Sequence, residues 1–165
     1  MYASYESKNK YLEKVIEKYS DMVYRLAIAR TRNIETSEEV FQEVFYRLSK
    51  KIPDFQNEEH EKAWLIKVTI NCTKTLLIDS WKHKTCELPE NLTEEDKDIY
   101  EIYDTVLKLP KKYRTVIHLF YYEDLSIKDI SKILNTNENT VKTWLSRARE
   151  KLKNDLKGGF EDEKY

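Results

Sequence analysis

Between Lys10 and Arg32 the apolar positions Leu12, Val15, Ile16, Tyr19, Val23, Leu26 and Ala27 recur at steps of three and four. That spacing is the period of one helix face and predicts a helix over 10–32, with a candidate break at "YSD" (19–21). "NIETSEEV" supplies a turn, after which Thr36 or Ser37 can cap a second helix reaching Lys51. Glu38 and Glu39 fall in its first turn, where the positive end of the helix dipole favours acids. Pro53 stops it, and "PDFQNEEHE" (53–61) reads as a polar loop with one aromatic, Phe55. A long helix follows over about 59–82. Its apolar arc, Leu65, Val68, Thr69, Cys72 and Leu76 with Ile66, Ile70 and Leu77, is wide enough to put this helix at the centre of its domain.

"KTCELPENLTEEDKD" (84–98) has weak periodicity, Pro89 and a run of acids, and reads as a solvated acidic linker. Helical periodicity resumes near Ile99. It runs over 99–108, breaks at Pro110, continues to Glu123, then covers 126–134 and 137–157 before a frayed tail, "GGFEDEKY". The only glycines, Gly158 and Gly159, lie near the C-terminus, and the three prolines fall between periodic segments. An interior without helix breakers predicts an all-α protein: two small helical domains, 1–84 and 99–165, joined by a flexible linker, 85–98.

Composition narrows the functional classes. Of 165 residues, 40% are hydrophobic and 36% charged, as expected of small cores with much surface. The formal net charge is −1, so any nucleic-acid binding must rest on local basic patches. No apolar run resembles a signal peptide or reaches membrane-spanning length, which predicts a cytoplasmic protein. Cys72 and Cys86 are too few and isolated for a disulfide framework or zinc site, and Cys72 reads as a small buried hydrophobe. His60, His83 and His118 lack metal-ligand spacing, and His118 reads as a core-edge residue. With no phosphate-cradling glycine loop and no nucleophile paired to a base, the chain is expected to be no enzyme, with no cofactor and no small-molecule substrate.

The C-terminal segment "LSIKDISKILNTNENTVKTWLSRAREKL" (125–152) is a short helix, a polar turn and a longer helix, the helix-turn-helix pattern. Ser126 can cap the first helix, with Asp129 three residues on as in a capping box. At about 100° per residue, Val141, Leu145, Ala148 and Leu152 of the second helix form a narrow buried seam. Asn139, Lys142, Thr143, Ser146, Arg147 and Glu150 cover the opposite side. Arg and Lys can donate to guanine, and Ser or Thr can donate or accept, so this face suits a major groove. The plainer alternative is an amphipathic helix with a solvated basic face. Trp144 falls about 60° off the seam centre, where a role in holding the helix outweighs one in reading DNA.

Two N-terminal faces carry further candidates. Trp64, Lys67, Asn71, Lys74 and Lys82 form one stripe of aromatic, amide and lysines. Such a stripe suits single-stranded nucleic acid, with bases stacked and phosphates tracked by lysine. A solvated lysine face with Trp64 tucked against Phe55 fits the spacing equally well. In "SEEVFQEVFYRL" (37–48) Val40, Val44 and Leu48 point inward, Glu39, Gln42, Glu43 and Tyr46 lie on open faces, and Phe41 and Phe45 flank the seam. That is an amphipathic helix, or an aromatic patch rimmed by acids and amides on which a protein could dock.

In order along the chain, "YSDMVYRLA…SEEVFQEVFYRL", "KAWLIKVTIN" and "LPKKYRTVIHLFYYEDLSIKDISKILNTNENTVKTWLSRAREKL" resemble a bacterial extracytoplasmic-function (ECF, group IV) RNA polymerase sigma factor over residues 10–157. The resemblance implies a dissociable subunit that directs core RNA polymerase to promoter DNA. The N-terminal domain would be region 2, which recognises and melts the −10 element. Trp64 and Asn71 match its single-strand face, flanked by Lys67 and Lys74. "FQNEEHE" matches the loop that captures a flipped base, with Phe55 and Gln56 at its start. "EEVFQEVF" matches the helix that docks on the clamp helices of the largest polymerase subunit, through Glu39, Gln42, Glu43 and Phe45. The C-terminal domain would be region 4, reading the −35 element with Lys142, Thr143, Ser146 and Arg147. Arg114, Tyr122, Lys128 and Thr140 would contact phosphates. The resemblance also implies control by an anti-sigma factor, often membrane-anchored, and a monomer when free of partners. Relatives more often carry Arg where Trp144 stands, so a charge-based role does not transfer to that position. The competing reading is a stand-alone regulator that uses only the helix-turn-helix and binds a palindrome as a dimer.

Overall fold

The computed structural model describes residues 2–79 and 94–162. Among them are helices and turns and no strand: α1 (Tyr2–Thr31), α2 (Ile34–Lys50), α3 (Glu58–Asp79), α4 (Glu94–Lys108), α5 (Lys111–Ile117), a π-helical turn (His118–Tyr122), α6 (Ile127–Ile133) and α7 (Glu138–Asp162). The chain divides into two compact units, Met1–Thr85 and Cys86–Tyr165.

In the first unit α1, α2 and α3 pack on one another. Val23, Leu26 and Ala27 meet Val40, Val44, Leu48, Leu65, Ile66 and Ile70 in a core closed to solvent. Ile16 stays 38% exposed and does not belong to it. The helix runs unbroken through 19–21, because Tyr19 is itself buried and none of these residues interrupts the hydrogen-bond ladder. It ends at Arg32, whose left-handed backbone (φ 55°) turns the chain. The second helix then starts earlier than the Thr36 or Ser37 cap predicts. Its cap is Asn33, whose Oδ1 accepts from the Thr36 N–H at 2.8 Å. Ser37 is buried in the first turn, donating to the Asn33 carbonyl at 2.6 Å. Asparagine reaches the third helical N–H as well as serine or threonine does, and here it directly follows the turn. Arg30, 5% exposed, donates from Nε to Thr73 Oγ1 at 2.9 Å and ties α1 to α3. Burial pushes its guanidinium down to about 10, which leaves it charged at neutral pH.

In the second unit α4, α5 and α6 each abut α7 or its neighbours. The core holds Val106, Leu109, Val116, Leu119, Ile130, Val141, Leu145 and Ala148. The fourth helix begins at Glu94, inside the stretch expected to be linker. A cluster of acids is a helix-start signal as much as a solvation signal, which is why composition misplaced it. The rest of the expected linker, with Cys86, lies outside the described residues, as does Lys82 at the expected end of the third helix. The seventh helix runs through Gly158 and Gly159 to Asp162, beyond the expected stop at 157.

The expected helix to Glu123 widens at its end. The Glu123 N–H bonds the His118 carbonyl at 3.2 Å, a five-residue step. This turn brings Glu123 Oε1 to 3.2 Å from His118 Nε2, and the imidazole stacks on Tyr122 with ring centroids 5.2 Å apart. His118 is fully buried, deeper than a core-edge residue. The helix-turn-helix forms as its caps predict. Ser126 Oγ accepts from the Asp129 N–H at 3.1 Å and donates to Asp129 Oδ2 at 2.8 Å. Asn135 adopts φ 52° after α6, and Asn137 Oδ1 caps α7 by accepting from the Thr140 N–H at 2.7 Å.

Candidate nucleic-acid and polymerase interfaces

Burial of Val141, Leu145 and Ala148, each at most 1% exposed, fixes the rotation of α7. Lys142, Thr143, Ser146 and Arg147 are thereby all exposed. Thr143 Oγ1 donates to the Asn139 carbonyl at 2.9 Å, so its hydroxyl presents lone pairs outward and acts as an acceptor. Lys142 and Arg147 make no ion pair among the described residues, which leaves two cations available to a ligand. Lys128 is exposed at the start of α6, and Thr140 is half-buried at the start of α7. Tyr122 is 45% exposed, and its ring lies on His118.

One side chain of the second unit behaves otherwise than its sequence setting suggests. Arg114 is 6% exposed and cannot meet a phosphate in this conformation. Its Nη1 donates to the Leu109 and Leu107 carbonyls at 2.6 and 3.3 Å. The C-terminal carbonyls of α4 lack intrahelical partners, and a buried cation satisfies them. Trp144 is half-buried, with Lys112 Nζ of α5 5.9 Å from its ring centroid. It sits at the edge of the seam on the side of α5, as its place on the wheel predicts.

On α3 the stripe Lys67, Asn71 and Lys74 is exposed. Trp64 is half-buried edge-on to Phe55 at 5.7 Å, and Phe55 is edge-on to His60 at 5.6 Å. The tucked arrangement of Trp64 is therefore the one observed, and it anchors the loop to α3. Asn57 Oδ1 caps α3 by accepting from the His60 N–H at 2.8 Å, and the Gln56 N–H reaches His60 Nδ1 at 3.3 Å. The Gln56 side chain is exposed. Beside the loop opens a cavity of about 480 Å³, lined by Tyr11, Lys14 and Lys18 of α1, Phe55 and Asn57 of the loop, and Glu61 of α3.

The acid-rich face of α2 proves to be one wall of a groove of about 710 Å³ between α2 and α3. Glu39, Gln42, Glu43, Tyr46 and Arg47 line it from α2, and Thr75 and Leu76 from α3. Glu43 Oε1 accepts from Arg47 Nε at 2.6 Å. Phe45 does not face outward. It is 8% exposed, edge-on to Phe41 at 4.9 Å, so the inter-helix core already uses the ring expected to dock. Tyr46 is the exposed aromatic of this face at 56%, with Lys50 Nζ over its ring. Its open wheel position was the available signal, whereas Thr75 and Leu76 became visible only once α3 was placed. Cys72 lies against this groove, 1% exposed, and burial pushes its thiol up, away from nucleophilic reactivity.

Residues 15–83 match the family Sigma-70 region 2, and residues 99–152 match Sigma-70, region 4. SigW of Bacillus subtilis (strain 168), an ECF RNA polymerase sigma factor, is 30% identical over 167 residues that cover 87% of each chain. The chain belongs to the ECF RNA polymerase sigma factors. SigV of the same organism is 30% identical over 130 residues, covering 76% of this chain and 78% of its own. In fold, this ECF sigma factor is similar to the sigma factor RpoE, solved with the anti-sigma factor NepR from Bartonella quintana. That likeness has a TM-score of 0.75 at 20% identity, covering 90% of this chain and 98% of RpoE. CnrH, solved with the cytosolic domain of CnrY, aligns with a TM-score of 0.67 at 18% identity over 91% of this chain and 90% of its own. The region 2 match falls in the first compact unit and the region 4 match in the second. As a member of this family, the protein confers promoter-specific initiation on RNA polymerase. Among the described residues no helix is long and apolar enough to cross a membrane.

Proposed function

We propose that this sigma factor works through three surfaces. The α2–α3 groove, with Glu39, Gln42, Glu43 and Tyr46, receives the clamp helices of the largest polymerase subunit. The stripe Trp64, Lys67, Asn71 and Lys74, with Phe55 and Gln56, holds the melted −10 strand. The outer face of α7 reads the −35 element, positioned by phosphate contacts from Lys128, Thr140 and Tyr122. Neither unit performs catalysis; the chemistry is the polymerase's. The protein acts in the cytoplasm, is monomeric without partners, and is sequestered by an anti-sigma factor, the class of partner with which RpoE was solved. A membrane anchor on that partner fits the same reading.

The observation that carries this reading is the set Lys142, Thr143, Ser146 and Arg147, exposed together opposite a sealed seam. Two weak DNA readers on one chain gain affinity when core polymerase fixes their spacing. Gel shifts on a cognate promoter should therefore show specific binding only when core enzyme is present. Tight, dimeric binding to a palindrome by the chain alone would establish the stand-alone regulator instead. In the holoenzyme, Arg147→Ala should weaken −35-dependent promoter binding by about 1–3 kcal/mol and relax preference at one base pair. A uniform loss across all −35 sequences would make Arg147 a phosphate contact.

A further inference from the structure

The loop that carries Phe55, Gln56 and Asn57 is held by α3, and α3 is in turn held by α1. Within the loop, the Glu61 N–H bonds the Asn57 carbonyl at 3.1 Å, and Asn57, Gln56 and Phe55 all engage His60. Fixing the first turn of α3 therefore fixes the loop. Two side chains of α1, seven residues apart on one face, do this. Tyr11 OH donates to Glu61 Oε2, and Lys18 Nζ lies 2.9 Å from Glu58 Oε1. The two contacts are unequal. Lys18 and Glu58 are largely exposed, so their pair contributes little. The Tyr11 hydroxyl is partly buried and bonds a carboxylate, the stronger kind of hydrogen bond. Burial and the Glu61 carboxylate hold its phenol above the ordinary value, so it remains a donor at any working pH. Tyr11 and Lys18, with Lys14 and Val15 between them, also form the α1 wall of the 480 Å³ cavity beside the loop.

We infer that Tyr11, through Glu61, is a positioning residue that sets the loop 51–57 in the shape that receives an unpaired −10 base. Tyr11 lies before residue 15, where the region 2 match begins, so nothing in that match assigns it. The inference rests on the proposed base-capturing role of the loop. A purely structural bond would stabilise the helix pair but would not care whether a base enters the loop.

The test uses holoenzyme assembled from core polymerase and the full chain. The probes are forked promoter DNAs with an unpaired −10 non-template strand, intact or lacking one −10 base at each position in turn. Tyr11→Phe and Glu61→Ala are each expected to weaken binding of the intact fork by about tenfold. The double variant should be no worse than either single one, and Glu61→Gln, which keeps an acceptor, should retain most of the affinity. On the fork lacking the captured base, every variant should bind like wild type. Additive single effects, equal weakening on intact and abasic forks, or no weakening would overturn the latch. If wild-type holoenzyme itself binds all the forks alike, base capture by the loop is wrong, and the latch falls with it. If wild type discriminates and the variants do not differ from it, only the latch is wrong.

Discussion

Leu145→Ala is expected to remove about 2–5 kcal/mol from the C-terminal unit, the range for buried leucine truncations. Leu145 is 1% exposed at the centre of the face that α7 turns toward α5 and α6. Net stability of a domain is only about 5–15 kcal/mol, and small units lie toward the lower end. The loss is therefore a large fraction of what holds the C-terminal unit together. Hydrogen exchange would localise it: α7 amides should lose protection while those of α2 keep theirs. Leu152→Ala, at the half-buried end of the seam, should cost less. Equal loss in both units would mean that they unfold as one, and unchanged α7 protection would mean that the seam is misplaced.

Arg114→Met is the second large effect, and it separates two roles for one residue. As a buried partner of the Leu109 and Leu107 carbonyls, Arg114 supports the joint between α4 and α5. Methionine keeps the aliphatic length but leaves buried acceptors unbonded. The expected cost is about 2–3 kcal/mol, typical of a lost charge-assisted hydrogen bond. Urea unfolding followed through helix content would measure it. A phosphate contact predicts the reverse: unchanged stability and a salt dependence of promoter binding lowered by about one ion.

These two residues also mark what the sequence could and could not disclose. The Leu145 seam follows from period alone, because Val141, Leu145 and Ala148 repeat on one helix face. The exposure of Lys142, Thr143, Ser146 and Arg147 follows from that seam. Arg114 stands in the basic run "KKYR", where composition says solvent or phosphate. Only the return of the chain at Pro110 places the α4 carbonyls against it. Phe45 lies on the edge of the α2 seam, where the wheel cannot choose between core and surface, and it is buried once α2 packs on α1 and α3. The α2–α3 groove needs Thr75 and Leu76, well downstream of the α2 residues that line it, and the Tyr11–Glu61 bond spans fifty residues. Neither has a local period. The widened turn at His118–Tyr122, which brings Glu123 to the buried His118, likewise has no signature in the spacing of the chain.

Sequencing the 5′ ends of transcripts made in vitro by core polymerase on fragmented genomic DNA, with and without this chain, tests the central claim most directly. The account predicts a discrete set of start sites that require both proteins, share elements at −10 and −35, and weaken with Arg147→Ala. A transcript set that is the same with and without the chain, together with no binding of the chain to core enzyme, would contradict it.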